Sequence, residues 1–231
     1  HVSENLGESP ATTMLIPHRY CGPPNSGNGG YTAGALAHLL GGRLGTSYTI
    51  TLRQPPPLET ELEVTSRDGE MVVSHHEGTV LQGHEGRPLT DPPGFVSYVD
   101  AEAAQAHFYG HRFHPFPTCF TCGVERPDGL RIFPGMVDSD ADGARRVAAT
   151  WIPDESVSED GSQATWEATW AALDCPAGMA WSHRLGRGQQ IMTVRMTARV
   201  DQPLQPGARY RVLAWPLERD GRKLHAGTAI V

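Results

Sequence analysis

A carboxylate and a pair of glycines combine residue types and positions that could carry chemistry. Asp174 ends a mostly apolar segment, where burial would disfavour its charged form and suit it to act as a general base or nucleophile. Gly29 and Gly30 precede a predicted helix, whose unpaired N–H groups and dipole stabilise developing negative charge. The sequence therefore predicts a base and an oxyanion-binding turn, although glycines also serve in plain loops, and Asp174 could instead cap the turn that follows it.

Nearby polar and aromatic residues could complete such a site. Asn28 and Asn25 could position a carbonyl group or a water molecule, but asparagine is also an ordinary turn residue. Thr169 lies about one helical turn from Asp174 and could hold its water. Tyr31 and Trp166 are the aromatic residues that we expect to contact a substrate, and Trp166 is also a core residue by type.

Two short apolar helices must position these residues. The first is predicted roughly from Tyr31 to Leu40, closed by Gly41-Gly42, and the second roughly from Ala164 to Leu173, closed near Pro176 and Gly178. Both are apolar on most faces, so we expect other structure to wrap around them.

Each helix precedes a similar series of strand signals, which divides the chain into two like halves. In each half an alternating run, a proline step, a second alternating run and an Asp-Gly turn follow one another, and Asp-Gly is a strong hairpin signal. The matching pairs of segments are 48–54 and 192–200, 61–64 and 209–212, and 67–69 and 219–221. We expect units at residues 1–106 and 107–231, the second led by a strand at 147–151 and ending soon after its last strand begins, one strand short.

Composition excludes several classes of protein. The 231 residues carry 26 Asp and Glu against 19 Lys and Arg, a formal charge of −7, whereas a nucleic-acid binder usually has a basic face. No apolar run approaches the ~18–20 residues of a membrane span, and four cysteines are too few for a disulfide scaffold. We expect a soluble protein of the reducing cytoplasm that needs no cofactor, with residues 1–10 a trimmed end rather than a signal peptide.

Three motifs resemble those of the PaaI-like acyl-CoA thioesterases, which have the hotdog fold. The segment 119–123 (CFTCG) followed by 126–132 (RPDGLRI) is similar to their CxxCG…P-x-GL opening. The segment 25–30 (NSGNGG) resembles their Asn-x-x-x-His-Gly-Gly loop, and 172–174 (ALD) resembles the helical segment that supplies their catalytic carboxylate. The resemblance implies an α+β chain of tandem (double) hotdog architecture, each half an antiparallel sheet wrapped around one central helix.

The departures from these motifs are complementary. The first half has the two glycines but Asn28 replaces the family's histidine, and His38 stands where its carboxylate would be. The second half has Asp174 but no glycine pair, with 164–166 (ATW) in its place. Asn28 precedes His38 by ten residues, as Ala164 precedes Asp174, so the two halves align. One composite site between the units is expected, with the mirror-related site inactive and filled by the bulk of Trp166.

The resemblance implies a thioesterase-like hydrolase acting on acyl-CoA or a related thioester, without nucleic-acid partner or membrane span, and forming a homodimer. Asp174 would activate water, Gly29 and Gly30 would bind the oxyanion, and Asn28 would position the carbonyl or the water. A non-catalytic acyl-CoA or lipid-binding protein is the alternative, because the histidine and one carboxylate are missing. A hydratase ranks last, since it would need a D-x4-H spacing that Asp174 lacks.

The cysteine segment also suggests a metal site. His111, His114, Cys119 and Cys122 form an H-x2-H-x4-C-x2-C pattern, and all four are zinc ligand types. The four-residue gap is cramped for a structural site, and no second CxxC exists in the sequence. We therefore expect packed thiols and no metal.

Overall fold

Two antiparallel sheets and three α-helices form the described part of the chain. A computed structural model describes residues 12–76, 78–87, 89, 91–137, 145–184 and 189–231, so the trimmed end expected at residues 1–10 lies outside the described residues. The helices are α1 (Gly29–Leu39), α2 (Tyr98–Ala104) and α3 (Trp166–Met179). The strands are β1 (Thr12–Met14), β2 (Ser47–Leu52), β3 (Leu62–Arg67), β4 (Glu70–His75), β5 (Gly78–Glu85), β6 (Gly135–Met136), β7 (Val147–Trp151), β8 (Arg195–Arg199), β9 (Tyr210–Asp220) and β10 (Lys223–Ile230).

The strand order shows that one strand of the second half of the chain joins the sheet of the first half. Six strands form one sheet in the order β1-β3-β4-β5-β2-β8, and four form another in the order β10-β9-β7-β6. The strand β8 comes from the second half of the sequence, yet it pairs with β2 of the first half, Thr49 opposite Thr197. The first sheet therefore spans both halves.

Both expected hairpins are present, with one shift of a residue. Between β3 and β4 the turn is Asp68-Gly69, both with positive φ (51° and 80°), which glycine adopts readily. Between β9 and β10, Asp220 pairs with Lys223, so the two-residue turn begins at Gly221 rather than at Asp220. The strand expected from residue 192 begins only at 195. Just before it, Ile191 lies against Gly178 and Thr193 bonds Asp174, both on α3.

Both central helices differ at their ends from the predicted ranges. Helix α1 begins two residues earlier than expected, at Gly29, because the Asn28 side chain accepts the Tyr31 N–H and caps it. Helix α3 begins after the Thr165 cap and continues through Pro176 to Met179. A proline inside a helix costs ~3 kcal/mol or more, and the burial of most of α3 offsets this cost, so the expected stop at Pro176 is not found.

The largest hydrophobic core is shared by both halves of the sequence. Its buried members from the first half include Leu36, Tyr48 and Ile50, and those from the second half include Trp170 and Ala198. A second cluster joins α3 to β7 and β9. Helices α1 and α3 lie side by side between these clusters and run in opposite directions, because Gly30 lies against residues 170–174 and Gly34 against residues 166–170.

The helices are short throughout the described ranges. The longest, α3, has 14 residues. Over this part of the chain, none reaches the length and apolar character required to traverse a lipid bilayer.

Candidate active site

The N-terminus of α1 meets α3 at Asp174. The Gly30 N–H donates a hydrogen bond to Oδ2 of Asp174, with 2.8 Å between the two atoms. A Cβ atom at position 30 would lie 2.6 Å from both the Asp174 Cβ and the Trp170 carbonyl oxygen. Glycine is therefore required at position 30 for the two helices to approach so closely, and their approach brings the glycine pair of one half to the carboxylate of the other.

The Asp174 carboxyl group is buried and held by two donors. Its residue is 8% exposed, and the Thr193 hydroxyl donates to Oδ1 while the Gly30 N–H donates to Oδ2. Burial raises the pKa of Asp174 to about 6, and the hydrogen bonds from Thr193 and Gly30 oppose that rise. The carboxyl group thus has a fixed orientation and a pKa closer to neutrality than that of an exposed aspartate.

Gly29 provides the unpaired N–H group beside this carboxylate. It is the first residue of α1, and no acceptor for its N–H is found among the described residues. A Cβ atom at position 29 would lie 2.9 Å from the Thr193 Cβ and 3.1 Å from the Asp174 Oδ2, so the residue faces the carboxyl group. We expected both glycine amides to bind an oxyanion; since the Gly30 N–H is already bonded, Gly29 is the donor available for it.

Asn28 caps the start of helix α1. It is 1% exposed, its Oδ1 accepts the Tyr31 N–H at 2.9 Å, and its Nδ2 donates to Thr121 Oγ1 at 3.2 Å and to Cys119 Sγ at 3.5 Å. This differs from the expected contact with a carbonyl or water, because the side chain is enclosed and its hydrogen bonds are occupied. Asn28 instead positions the start of α1.

The structure separates Trp166 and Thr169 from Asp174. Both line a cavity of about 340 Å³ at the opposite end of the helix pair, together with His38. His38 Nδ1 lies 3.3 Å from Glu167 Oε1 there. This cavity contains the residues expected at the mirror-related position, and Trp166 forms part of its wall instead of filling it.

Asn25 and Tyr31 make other contacts, and in the described part of the chain neither has a hydrogen bond to the carboxylate. Asn25 is exposed in a surface turn closed by the hydrogen bond from the Ser26 N–H to the Pro23 carbonyl, at 3.1 Å. Tyr31 is stacked on Tyr20, with ring centroids 3.9 Å apart. Of the residues predicted for the site, Gly29, Gly30 and Asp174 are brought together directly, with Asn28 immediately behind them.

Two threonines at this junction were missed by the sequence analysis. Thr193 bonds Asp174 from the segment that precedes β8, and Thr121 donates from its Oγ1 to the Ala171 carbonyl at 2.9 Å while accepting from Asn28. Thr121 thus links the cap of α1 to the middle of α3. The only available signals were the polar position at the start of the run from residue 192 and the CFTCG motif itself.

The cysteines cluster differently from the H-x2-H-x4-C-x2-C pattern. The Sγ atoms of Cys119, Cys122 and Cys175 lie within 4.8 Å of one another. His114 does not reach these sulfurs: its Nδ1 accepts the Phe116 N–H at 3.0 Å, and its Nε2 lies 2.9 Å from the Cys122 carbonyl oxygen. Hydrogen bonding from the two neighbouring thiols, and then from backbone N–H groups, lowers the pKa of Cys119 well below its usual value.

Comparisons with known proteins identify the fold. No protein-family model and no curated protein matches the sequence. A tesB protein of Mycobacterium avium subs paratuberculosis has a similar structure, with TM-score 0.58 and 11% identity, over 94% of this chain and 84% of that one. A Thermobifida fusca YX protein described as a thioesterase II gives TM-score 0.56 and 13% identity, over 97% and 87% of the two chains. The GphF dehydratase gives 0.50 and 14%, over 98% and 94%.

These similarities establish the fold class. The chain has a hotdog-type fold, as its motifs predicted; one of these three neighbours is described as a thioesterase II and another as a tesB protein. The third neighbour is a dehydratase. Because one fold hosts different reactions, the chemistry has to be argued from the site.

Proposed function

We propose that this protein is a double hotdog thioesterase-like hydrolase that cleaves acyl-CoA thioesters at a composite site formed by Gly29 and Asp174. The observation that carries the proposal is the hydrogen bond from the Gly30 N–H to Asp174, because it joins the glycine pair of one half to the carboxylate of the other. The structural neighbours described as a thioesterase II and a tesB protein add support at the level of the fold.

The proposed chemistry follows from the position of each group. The Asp174 carboxylate takes a proton from a water molecule, and the oxygen of that water attacks the thioester carbonyl carbon. Negative charge then develops on the carbonyl oxygen, where the Gly29 N–H and the dipole of α1 stabilise it. Collapse of the tetrahedral intermediate breaks the carbon–sulfur bond, and the proton held by Asp174 passes to the thiolate that leaves.

The two existing hydrogen bonds of Asp174 are compatible with this role. An ionised carboxylate offers about four lone-pair positions, and Thr193 and Gly30 use one on each oxygen. The remaining positions can accept from water. The bonds also hold the carboxyl plane in place, which reduces the reorganisation needed in the reaction.

A non-catalytic acyl-CoA-binding protein is the second candidate. The low exposure of Asp174 favours it, because a base must reach the water that it activates. Binding of the acyl-CoA without any release of CoA would distinguish the binder from the hydrolase.

The proposal is tested with a panel of short, medium, long and aromatic acyl-CoAs, measuring free CoA by chromatography. We expect turnover of at least one substrate by the wild type, and a loss of about 100-fold or more in kcat for Asp174→Asn, the range typical for removing a general base. Acyl-CoA affinity is measured in parallel by calorimetry.

Glu167→Gln is the matched control, because Glu167 lies on the same helix at the other end of the pair and contacts His38. It should leave kcat within about twofold of the wild type. Full activity of Asp174→Asn would exclude the composite site, and loss of activity in Glu167→Gln alone would assign turnover to the mirror-related cavity. Saturable binding by an inactive wild type would select the second candidate.

A further inference from the structure

The segment 119–123 forms a tight turn that carries the thiols of Cys119 and Cys122. The Gly123 N–H donates to the Cys119 carbonyl at 2.8 Å, and a Cβ atom at position 123 would lie 2.5 Å from that oxygen.

A third thiol comes from α3, more than fifty residues away in sequence. Cys175 Sγ lies 3.6 Å from Cys119 Sγ, and all three sulfurs fall within 4.8 Å of one another. Three thiolates at about 2.3 Å from a tetrahedral zinc ion are ~3.8 Å apart. The cluster therefore needs only small side-chain shifts to match this geometry.

The surroundings of the cluster suit a thiolate-bound metal. Phe108, Phe116 and Met179 pack against the cysteines and limit access of water. The Asn28 Nδ2 donates to Cys119 Sγ at 3.5 Å, an outer contact of the kind that orients a metal ligand. All four cysteines of the chain are free, so no disulfide competes for these sulfurs.

We infer that Cys119, Cys122 and Cys175 bind one zinc ion, with a small exogenous ligand such as water completing four coordination. The ion would tie the turn at 119–123 to α3 directly behind the Asn28 cap. It would fix the turn that supports the Asn28 cap of α1 against the helix that carries Asp174, and the inference does not depend on the proposed hydrolase activity.

The test measures metal in the full chain, purified under reducing conditions from zinc-supplemented medium. We expect about one zinc per chain by plasma mass spectrometry. In apo wild type, one equivalent of cobalt(II) should produce a thiolate-to-cobalt charge-transfer band in the near ultraviolet and the strong visible bands of tetrahedral cobalt. This measurement needs no variant, so it holds even if a cysteine substitution prevents folding.

Cysteine variants assign the ligands. Cys119→Ser, Cys122→Ser and Cys175→Ser should each reduce bound zinc by about tenfold or more, in line with the loss of a metal ligand or its close support. Cys21→Ser is the matched control, because Cys21 is also buried and free but lies outside the cluster. It should keep the full zinc content.

Three results would overturn the inference. The first is less than about a tenth of an equivalent of zinc together with no cobalt–thiolate band. The second is stoichiometric zinc that survives all three substitutions. The third is a disulfide between two of the three cysteines, detected by mass spectrometry in the protein as isolated.

Discussion

At the scale of single residues, the environment of Asp174 is made by contacts from distant parts of the sequence. Gly30 reaches it from α1, and Thr193 reaches it from the segment before β8. Each holds one oxygen, so the carboxyl group cannot rotate without losing a hydrogen bond. If the Thr193 hydroxyl positions Asp174 as the base, removing it should lower kcat as well as the free energy of unfolding.

Thr193→Val tests this positioning role. The loss of one hydrogen bond should lower the free energy of unfolding by about 1 kcal/mol, measured by urea denaturation. We also expect kcat for acyl-CoA hydrolysis to fall with little change in KM, because the carboxyl group is no longer held in the attacking orientation.

Thr197→Val is the control, since the Thr197 hydroxyl is hydrogen bonded to Thr49 at 2.7 Å within the first sheet. It should lose a similar amount of stability and keep its kcat. Equal rates in the two variants would assign Thr193 a structural role only.

At the scale of elements, the close packing of α1 against α3 depends on two glycines one turn apart. Gly30 and Gly34 both lie against the backbone of α3, and a Cβ atom at position 34 would lie 2.8 Å from the Glu167 Cα. Residues four apart share one face of a helix. Gly30 and Gly34, which have no side chains, therefore let the backbones of α1 and α3 come into close contact.

Gly34→Ala should be destabilising by about 1–3 kcal/mol, because the added methyl group overpacks the helix contact. Gly178→Ala is the contrasting change: the position is also helical, but its Cβ would meet Ile191 atoms at ordinary distances of 3.6 Å and more. There the substitution should be stabilising by ~0.5–1 kcal/mol through helix propensity. Thermal denaturation of both variants checks the opposite signs, and equal effects would contradict the packing argument.

The helix caps give a second prediction at this scale. Thr165→Ala removes only the acceptor for the Ala168 N–H and should cost ~1 kcal/mol. Asn28→Ala should cost more, about 2 kcal/mol or above, because the buried Thr121 hydroxyl also loses a partner.

Asn28→Asp separates the two effects, since it retains the oxygen that accepts the Tyr31 N–H but has no N–H to donate. We expect a stability well below that of the wild type by denaturant unfolding. A wild-type stability for Asn28→Asp would show that the donor side of Asn28 contributes nothing.

At the scale of the whole molecule, the halves are joined by a sheet and by a core. The pairing of β2 with β8 makes one sheet continuous across them, and Trp170 and Leu173 pack into a cluster otherwise made mainly by the first half. Neither half can complete this core without the other. Unfolding of one half should therefore expose the core of both.

Calorimetry should accordingly show one cooperative transition, with equal calorimetric and van't Hoff enthalpies. Tryptophan fluorescence and far-ultraviolet circular dichroism should give the same midpoint, because tryptophans of α3 report on the shared core. Two resolved transitions, or different midpoints, would mean that the halves fold independently.

Local patterns were sufficient to predict both central helices and the longer strands, but not α2, β1 or β6. Runs of apolar residues indicated both central helices, alternation indicated the strands, and the Asp-Gly pairs indicated the hairpins, because these signals depend on neighbours within a few residues. The expectation that the glycine pair and Asp174 belong to one site came from the resemblance to the PaaI-like thioesterases, and the equal ten-residue spacings served only to align the two halves. The end of α3 was missed, since tertiary burial outweighs the local effect of Pro176.

Only the tertiary structure decided how these parts are used. In the folded chain, the Gly30 N–H bonds Asp174, the Asn28 side chain is buried as the cap of α1, and the Thr193 hydroxyl bonds the Asp174 carboxyl group. It also placed Cys175 beside Cys119, which no spacing in the sequence indicates. The physical reason is the same in each case: these contacts join residues that are far apart along the chain, and side-chain packing between helices and sheets determines which of them meet.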